Sequence, residues 1–346
     1  MDVEIQMSDD YNKVGKIQYI MGDSLVNELI NTIKDIHLKF PQRLLNNNEP
    51  FIICDLGCSL GHTSTKFLRA IFEEVKNINK DLPIEVYLED TPFNNFEMTL
   101  KVVKEALNDF SGITYNALPK SFYESLFPES IVDLFYSSFA MHWLTNCSFP
   151  QNQLVYYCDG DKESQPDYDN MESFICNCWK QQMDLRTNEL KPGGYLITQV
   201  PVINTNSELA LKYIQKYRIG KKLFDSVLIN NNCSKLIEKV CIQTCNFNEK
   251  LLRENVSKNM MINRYTNVET EKQVYSDDLK INAIEIADFL KSYTFGIFRS
   301  ILLKSINESQ VEKILLETEN CWKEEFSKLK IDSTIYAAIL NISVNK

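Results

Sequence analysis

The stretch FIICDLGCSLG, residues 51–61, decides the fold of this chain. Its first four residues form a continuous apolar run after Pro50, and such a run is typical of a buried parallel strand. The Asp55-Leu56-Gly57 turn ends the run, and apolar residues then recur with helical spacing from Ser64 to Val75. A strand, a glycine-containing loop and a helix in this order predict the first unit of a doubly wound α/β sheet.

Alternating strands and helices continue after this stretch. Further strands are predicted at 84–88, 113–117, 131–137 and 195–200, with helices at 96–107 and up to Leu190. The second half is helical at 208–254 and 281–329, and residues 333–343 alternate as a strand that returns to the sheet. We therefore predict a Rossmann-like, doubly wound, mostly parallel α/β sheet with an α-helical cap.

The domain organisation follows from the change from alternating strands and helices to a mostly helical second half. We assign residues 1–202 to the α/β core, with 151–175 belonging either to the core or to the cap. The remaining divisions are the helical cap at 203–255, a return to the core sheet at 256–280, cap and substrate-pocket helices at 281–330, and a terminal core strand at 331–346.

The composition excludes several classes of partner. The 346 residues are 44% hydrophobic and 24% charged, with a net charge of −10 and a pI near 5.0. An acidic chain without a basic patch is not expected to bind nucleic acid or an anionic membrane. No apolar run reaches the roughly 18 residues of a transmembrane helix. The opening MDVEIQMSDD predicts no export signal, and ten cysteines scattered through apolar runs predict reduced thiols in a cytoplasmic protein.

The glycine loop indicates a cofactor class. Its spacing, Gly57-x-x-x-Gly61, differs from the Gly-x-Gly-x-x-Gly of pyrophosphate-binding folds, and it lacks the Lys-Ser/Thr pair of a nucleotide P-loop. A cofactor without phosphates fits such a loop better, and S-adenosylmethionine is the common one. The alternative is an ordinary tight turn.

Polar and aromatic residues follow two more predicted strands. Asp90 ends the second strand, where a carboxylate can accept hydrogen bonds from both hydroxyls of a ribose; the alternative is a solvated end-of-strand carboxylate. SSFAMHWL at 137–144 follows the fourth strand and brings polar donors and aromatic rings to the same sheet edge. The alternative for this segment is ordinary core packing.

The order of these motifs resembles the SABATH family, the salicylate, benzoate and theobromine methyltransferases. The resemblance rests on Tyr11 followed by Gln18, and on DLGCSLG at 55–61, EDTPFNNF at 89–96, SFYESLFP at 121–128, SSFAMHWL at 137–144 and KPGGYLI at 191–197. Motifs in this order span essentially the whole chain. The resemblance implies a class I methyltransferase fold with a seven-stranded sheet, S-adenosylmethionine as the methyl donor, a small carboxylic acid as the substrate, and a homodimer.

The resemblance also implies roles for individual residues. The cofactor would be surrounded by Tyr11, Asp55, Gly57, Cys58, Thr63, Asp90, Thr91, Ser121, Phe122 and Ser137, with Asp90 on the ribose and the backbone at 121–122 on the adenine. The substrate carboxylate would be held by Gln18 and Trp143, with Phe139 and His142 lining the pocket. On residue type alone, Gln18 would be an exposed helix residue.

The chain departs from the family pattern at three places. Leu60-Gly61-His62-Thr63 stands where Ser-Gly-Pro-Asn is usual, and the glycine-rich segment that opens the family is replaced by Ser8-Asp9-Asp10. At the family's optional Mg²⁺ site only Phe247 and Asn248 match, and Cys245 stands where an Asp is expected. Since Mg²⁺ requires hard oxygen ligands, we expect no metal.

Three alternatives to carboxyl methylation stay open. A carboxylate is already anionic at pH 7 and needs no general base, whereas His142 would also suit N-methylation of a heterocycle or O-methylation of a phenol. The altered loop would suit a non-catalytic small-ligand binder on the same fold. A nicotinamide-dependent oxidoreductase is disfavoured by the absent Gly-x-Gly-x-x-Gly.

Overall fold

The computed structural model describes residues 16–144, 168–202, 207–239, 245, 247–269, 278–329 and 336–345. Within these ranges, residues 16–20, 168–171, 207–214, 238–239 and 293 are described by their backbone alone.

The described strands form one sheet. They are β1 (Phe51–Leu56), β2 (Ile84–Asp90), β3 (Ile113–Pro119), β4 (Val132–Ser138), β5 (Leu190–Pro201), β6 (Met260–Glu269) and β7 (Tyr336–Val344). In the described part of the chain, the sheet has seven strands in the order β3-β2-β1-β4-β5-β7-β6. Neighbours from β3 to β5 are parallel, and β7 runs antiparallel to both β5 and β6. This mostly parallel, doubly wound sheet confirms the predicted fold class.

Helices flank the sheet. They are α1 (Lys16–Lys39), α2 (Gln42–Leu45), α3 (His62–Ile78), α4 (Phe96–Ala106), α5 (Tyr168–Glu189), α6 (Ser207–Asn230), α7 (Glu249–Glu254), α8 (Leu279–Leu303) and α9 (Glu308–Phe326), with a 3₁₀ helix at Ser234–Lys239. No helix among the described residues is both long and apolar enough to cross a bilayer.

One face of the sheet is covered by α1, α3 and α4. In α1, the buried residues Leu25, Leu29, Ile33 and Ile36 recur every three or four positions, so they share one helical face. They belong to the same apolar cluster as Phe67 of α3 and the inward residues of β1 and β2.

The other face of the sheet shares one continuous hydrophobic cluster with α5 and with α6, α8 and α9, the helices that the sequence assigns to the cap. The cluster contains Trp179 of α5, Phe224 of α6, Phe298 of α8 and Trp322 of α9. The rings of Phe224 and Phe298 stack with centroids 4.1 Å apart, and Trp322 Nε1 donates to the carbonyl of Gly220 at 2.8 Å. The cap helices therefore pack into the same apolar interior as α5.

Helix α1 was not among the predicted elements, although its apolar spacing is present in the sequence. Polar side chains connect it to the antiparallel edge of the sheet. Glu28 Oε1 lies 2.7 Å from Arg264 Nε of β6 and accepts from Asn341 Nδ2 of β7 at 2.5 Å. Nearer the start of α1, the carbonyl of Met21 accepts from Gln199 Nε2 of β5 at 3.1 Å. These contacts place the start of α1 at the carboxyl edge of the parallel strands.

Pro192-Gly193-Gly194, which separates the predicted helix ending at Leu190 from the predicted strand at 195–200, forms an irregularity inside β5. Pairing with β4 shifts between Val132 and Leu134, and Gly193 has φ +71°. A Cβ on Gly193 would lie 2.2 Å from Phe40 Cζ, so the glycine allows this close approach.

Candidate active site

The polar residues identified from the sequence meet at one edge of the sheet, because β1, β2 and β4 are adjacent and parallel. Asp55 of β1 stands in register with Leu88 of β2 and Tyr136 of β4. The loops that follow the three strands therefore emerge side by side. This edge is where ligands bind in doubly wound sheets.

Gly57 permits a close contact between two of these loops. It has φ +79°, and a Cβ built on it would lie 2.2 Å from Ala140 Cβ. Its N–H donates to the carbonyl of Glu89 at 3.0 Å and to Glu89 Oε2 at 2.9 Å. Burial, together with the neighbouring charge of Asp90, raises the pKa of Glu89 well above its usual range. The loop after β1 is thus fixed to both β2 and the segment after β4.

The centre of the glycine loop is held from two sides. Ser59 has φ +49°, which few non-glycine residues adopt, and its N–H donates to Asp90 Oδ2 at 2.7 Å. The carbonyl of Ser59 accepts from Asn94 Nδ2 and from Thr99 Oγ1, each at 2.8 Å. The residues of EDTPFNNF and the start of α4 therefore hold the loop in its left-handed conformation.

Asp90 combines this structural contact with the capacity to bind a ligand. Its Oδ1 accepts from the Thr91 N–H at 2.8 Å, and its Oδ2 from the Ser59 N–H. The Thr91 side chain also hydrogen-bonds to Asp90. Because a carboxylate has about four acceptor sites, acceptor capacity for ligand hydroxyl groups remains. Burial raises the pKa of Asp90 to about 6 in spite of these hydrogen bonds, so the group is ionised at neutral pH.

Asp55 and Ser137 support the site from beneath. Asp55 Oδ2 accepts from the Tyr136 hydroxyl at 2.8 Å, and burial raises the pKa of Asp55 to about 7. Ser137 Oγ donates to the carbonyl of Leu56 at 3.0 Å, and its side chain is fully buried. These two side chains join β1 to β4 and shape the sheet edge, and neither is exposed in a crevice.

A buried ion pair that the sequence did not reveal holds the segment at 121–128. Arg186 Nε lies 2.8 Å from Glu189 Oε2, one turn apart on α5, and neither side chain is more than 2% exposed. Arg186 Nη1 donates to the carbonyl of Phe122 at 3.1 Å, and Glu189 Oε1 accepts from the N–H of Leu126 at 2.7 Å. The backbone of the Ser121-Phe122 turn is therefore held by α5. An Arg and a Glu three residues apart at the end of a predicted helix were the available signal.

The segment after β4 turns sharply. Phe139 has φ +53°, and its N–H donates to the carbonyl of Gln199 at 2.9 Å. The carbonyl of Trp143 accepts from the Tyr123 hydroxyl at 3.0 Å, which connects this turn to the 121–128 segment. The indole is 9% exposed, and its centroid lies 5.5 Å from the His142 ring. Burial lowers the pKa of His142 to about 3, so the imidazole is neutral at physiological pH.

The remaining predicted cofactor and substrate residues lie in the glycine loop, in α3, in α1, or outside the described residues. Cys58 is buried in the glycine loop, where burial raises the pKa of its thiol, and Thr63 lies half-buried in the first turn of α3. Gln18 lies in α1, where only the backbone is described, and Tyr11 lies outside the described residues.

The two weak metal candidates have structural contacts. Asn248 caps α7, where its Oδ1 accepts from the Leu251 N–H at 2.6 Å. Phe247 is buried, with its ring centroid 5.0 Å from that of Trp179. Across the described ranges, no group of three or more His, Cys, Asp or Glu side chains could hold a metal ion.

Known proteins resemble this chain in sequence and in fold. The family model described as SAM-dependent carboxyl methyltransferase matches residues 8–343. A salicylate/benzoate carboxyl methyltransferase of Arabidopsis thaliana is 33% identical over 148 residues, which is 38% of each chain. A probable 7-methylxanthine methyltransferase of Theobroma cacao is 26% identical over 207 residues, 54% of this chain and 56% of that protein. The alignments thus span about half or less of these relatives.

A solved structure matches over the whole described fold. The loganic acid methyltransferase with SAH superposes with a TM-score of 0.70, at 16% identity, over 99% of both chains. This likeness shows the fold, and the family match over nearly the whole chain carries the assignment. The chain belongs to the SABATH family of S-adenosylmethionine-dependent carboxyl methyltransferases.

Proposed function

We propose that this protein transfers a methyl group from S-adenosylmethionine to the carboxylate of a small, largely apolar acid and so forms a methyl ester. The observation that carries the proposal is the contact between Gly57 and Ala140. It sets the glycine loop, the cofactor side of the site, directly against the turn that carries Trp143, the acceptor side. The family match over residues 8–343 supports the same chemistry.

On the cofactor side, Asp90 is the residue that would accept the two ribose hydroxyls, because it is ionised at neutral pH and has acceptor sites left. The backbone at Ser121 and Phe122 would meet the adenine, with the buried Arg186–Glu189 pair keeping that turn in place. The other proposed cofactor residues are Tyr11, Asp55, Gly57, Cys58, Thr63, Thr91 and Ser137. When bound, the cofactor supplies an electrophilic methyl group on a sulfonium.

On the acceptor side, Gln18 and Trp143 would hold the carboxylate through neutral N–H donors, while Phe139 and His142 line the pocket. The carboxylate oxygen forms the new bond to the methyl carbon as the carbon–sulfur bond breaks, and the electron pair goes to sulfur. No proton has to be removed, because the acid is ionised at pH 7. The low pKa of His142 agrees with this scheme, since a neutral imidazole does not pair with the anion.

Positioning then accounts for the rate enhancement. Neutral donors orient the carboxylate without the charge pairing that would reduce its nucleophilicity, and the apolar cap excludes water from it. Orientation at near-attack distance contributes up to about 7–11 kcal/mol in favourable cases.

The experiment is mass spectrometry of products after incubation of the protein with S-adenosylmethionine and a library of small acids, xanthines and phenols. We expect methyl esters, each 14 Da heavier than its acid. Trp143→Phe, which removes the indole N–H and keeps an aromatic ring, should lower turnover of the acid and leave the affinity for S-adenosylhomocysteine unchanged. An equal loss of both would contradict the role of Trp143. Absence of both methylation and cofactor binding would overturn the proposal.

Methylation of a heterocyclic nitrogen is a second candidate, and one observation favours it. The neutral His142 imidazole beside Trp143 can exchange hydrogen bonds with a ring nitrogen or a carbonyl of a heterocycle. N-methylated xanthines in the same experiment, with no methyl esters, would select this reading. Cofactor binding with no product at all would select a non-catalytic binder.

We also propose a domain division, an oligomeric state, independence of metal and a cellular location. The core would consist of residues 1–202, 256–280 and 331–346, and the cap of residues 203–255 and 281–330. The protein would be a homodimer, would need no metal, and would be located in the cytoplasm. The seven described free cysteines suit a reducing compartment. Light scattering tests the dimer, fractionation the location, and unchanged activity in chelator the independence of metal.

A further inference from the structure

We propose that Gln199 is a positioning residue that sets the start of α1 against the acceptor side of the active site. The inference rests on the proposed function, because it concerns how Gln18 and Trp143 come to hold one carboxylate. Gln199 is fully buried in β5, between Ser138 of β4 and Ile339 of β7.

Three elements meet at this one residue. Gln199 Nε2 donates to the Met21 carbonyl of α1 at 3.1 Å, and Gln199 Oε1 accepts from Ser138 Oγ at 3.3 Å. The main-chain carbonyl of Gln199 accepts from the N–H of Phe139 at 2.9 Å. The side-chain amide is thus oriented by β4 and directed at α1, while its backbone holds the residue that begins the Trp143 turn.

The two ends of this connection, Met21 and Phe139, lie within four residues of the two proposed carboxylate ligands. Residue 18 precedes Met21 by three positions, about 4.5 Å along a helix axis. Phe139 precedes Trp143 by four positions, and its left-handed conformation starts the turn that brings Ala140 onto Gly57. Gln199 therefore couples the helix that carries Gln18 to the turn that carries Trp143.

Burial makes this connection hard to replace. Gln199 is 0% exposed, so water cannot take over the hydrogen bond to the Met21 carbonyl when the amide is removed. Asp90 ends β2 and the Arg186–Glu189 pair lies on α5, and the contacts given above for these residues do not involve Gln199. A change at Gln199 is therefore expected to affect the acceptor side and to spare the cofactor side.

The test compares Gln199→Met with Thr198→Val in the full-length protein. Methionine keeps the length of the side chain and removes both polar groups. Thr198 is the adjacent residue of β5, is equally buried and points to the opposite face, and its hydroxyl has no hydrogen-bond partner in the described structure, so Thr198→Val is a matched control. Kinetics with the acid, calorimetry with S-adenosylhomocysteine, and hydrogen exchange of the α1 amides are measured for each.

For Gln199→Met we expect kcat/KM for the acid to fall 10- to 100-fold, since a displacement near 1 Å can cost about 100-fold in rate. The Kd for S-adenosylhomocysteine should change less than twofold, and amides near residue 21 should exchange at least fivefold faster. Thr198→Val should change none of these. An equal loss of cofactor affinity, or unchanged exchange in α1, would overturn the proposal.

Ser138→Ala provides a second variant should Gln199→Met fail to fold. It removes the hydroxyl that orients the amide and leaves Gln199 in place, so it should lower kcat/KM in the same direction by a smaller factor. The losses of the two variants should not be additive in the double variant, because Ser138 acts through Gln199. The hydrogen-exchange result decides the role of Gln199 even if the wild-type protein methylates no acid, and that latter outcome would refute only the proposed function.

Discussion

Replacing Gly57 by alanine tests whether the contact between the two loops organises the site. The new Cβ would lie 2.2 Å from Ala140 Cβ, whereas carbon atoms in contact are about 3.5–4.0 Å apart. The loops must separate by more than about 1 Å, and overpacking of this kind costs about 1–3 kcal/mol. The left-handed φ of +79° adds about 1–2 kcal/mol for a residue with a side chain. We expect Gly57→Ala to lower the free energy of unfolding by about 2–5 kcal/mol.

The same displacement should weaken the cofactor site, because the N–H of Gly57 and that of Ser59 are fixed to β2 through Glu89 and Asp90. We expect the Kd for S-adenosylhomocysteine to rise at least tenfold. Urea denaturation gives the free energy of unfolding, and titration calorimetry gives the Kd.

Gly112→Ala is the matched control. Gly112 has φ +71°, but the nearest atom to a Cβ there is Lys76 Nζ, at 3.4 Å. This variant should lose about 1–2 kcal/mol from the φ alone and bind the cofactor normally. Adding Ala140→Gly to Gly57→Ala should recover part of the lost stability and affinity. If Gly57→Ala were no worse than Gly112→Ala in either measurement, the steric reasoning would be refuted.

Three further predictions follow from the site. Burial raises the pKa of Asp90 to about 6, and ribose hydroxyls favour the ionised form, so affinity for S-adenosylhomocysteine should rise with pH up to about pH 7 and level off above that. Asp90→Asn should bind weakly with a flat profile, and a profile unchanged by this variant would contradict the assignment. Arg186→Met leaves the buried Glu189 unpaired, so it should lower the free energy of unfolding, measured by urea denaturation, by about 3–5 kcal/mol. A loss below about 1 kcal/mol would show that the ion pair is dispensable for stability. With Trp143→Phe, the KM for the acid should rise and kcat should fall by a combined factor of about 10–100 in steady-state kinetics, and unaltered constants would exclude the indole N–H as a carboxylate ligand.

The elements that carry local signals could be predicted from the sequence. The apolar run at 51–54, the glycines of the loop and the acid at Asp90 each report a local constraint, a buried strand, a left-handed backbone or a strand end. These constraints place residues at the carboxyl edge of a parallel sheet without knowledge of the rest of the chain. The strands, their order along the chain and the glycine loop could therefore be predicted.

Contacts between segments that are distant in the chain could not be predicted from such local signals. The Arg186–Glu189 pair appears in the sequence as two ordinary charged helix residues, and only the packing of α5 against the 121–128 segment shows what they hold. Gln199 likewise resembles any polar residue in an apolar strand until α1 is in place. Partners 60 to 180 positions away decide the role of such residues, and residue type alone does not identify them.

The position of β7 has a consequence for how the chain is made. β7 lies between β5 and β6 and hydrogen-bonds to both, and Asn341 within it meets Glu28 of α1, 313 residues earlier. The ribosome must therefore deliver residues up to 344 before β6 acquires its strand partner and before β5 acquires a neighbour on the side away from β4. Until then β5 presents an unpaired apolar edge, which is a site for association with other nascent chains. A chaperone that shields this edge until β7 has been synthesised should therefore raise the yield of folded protein.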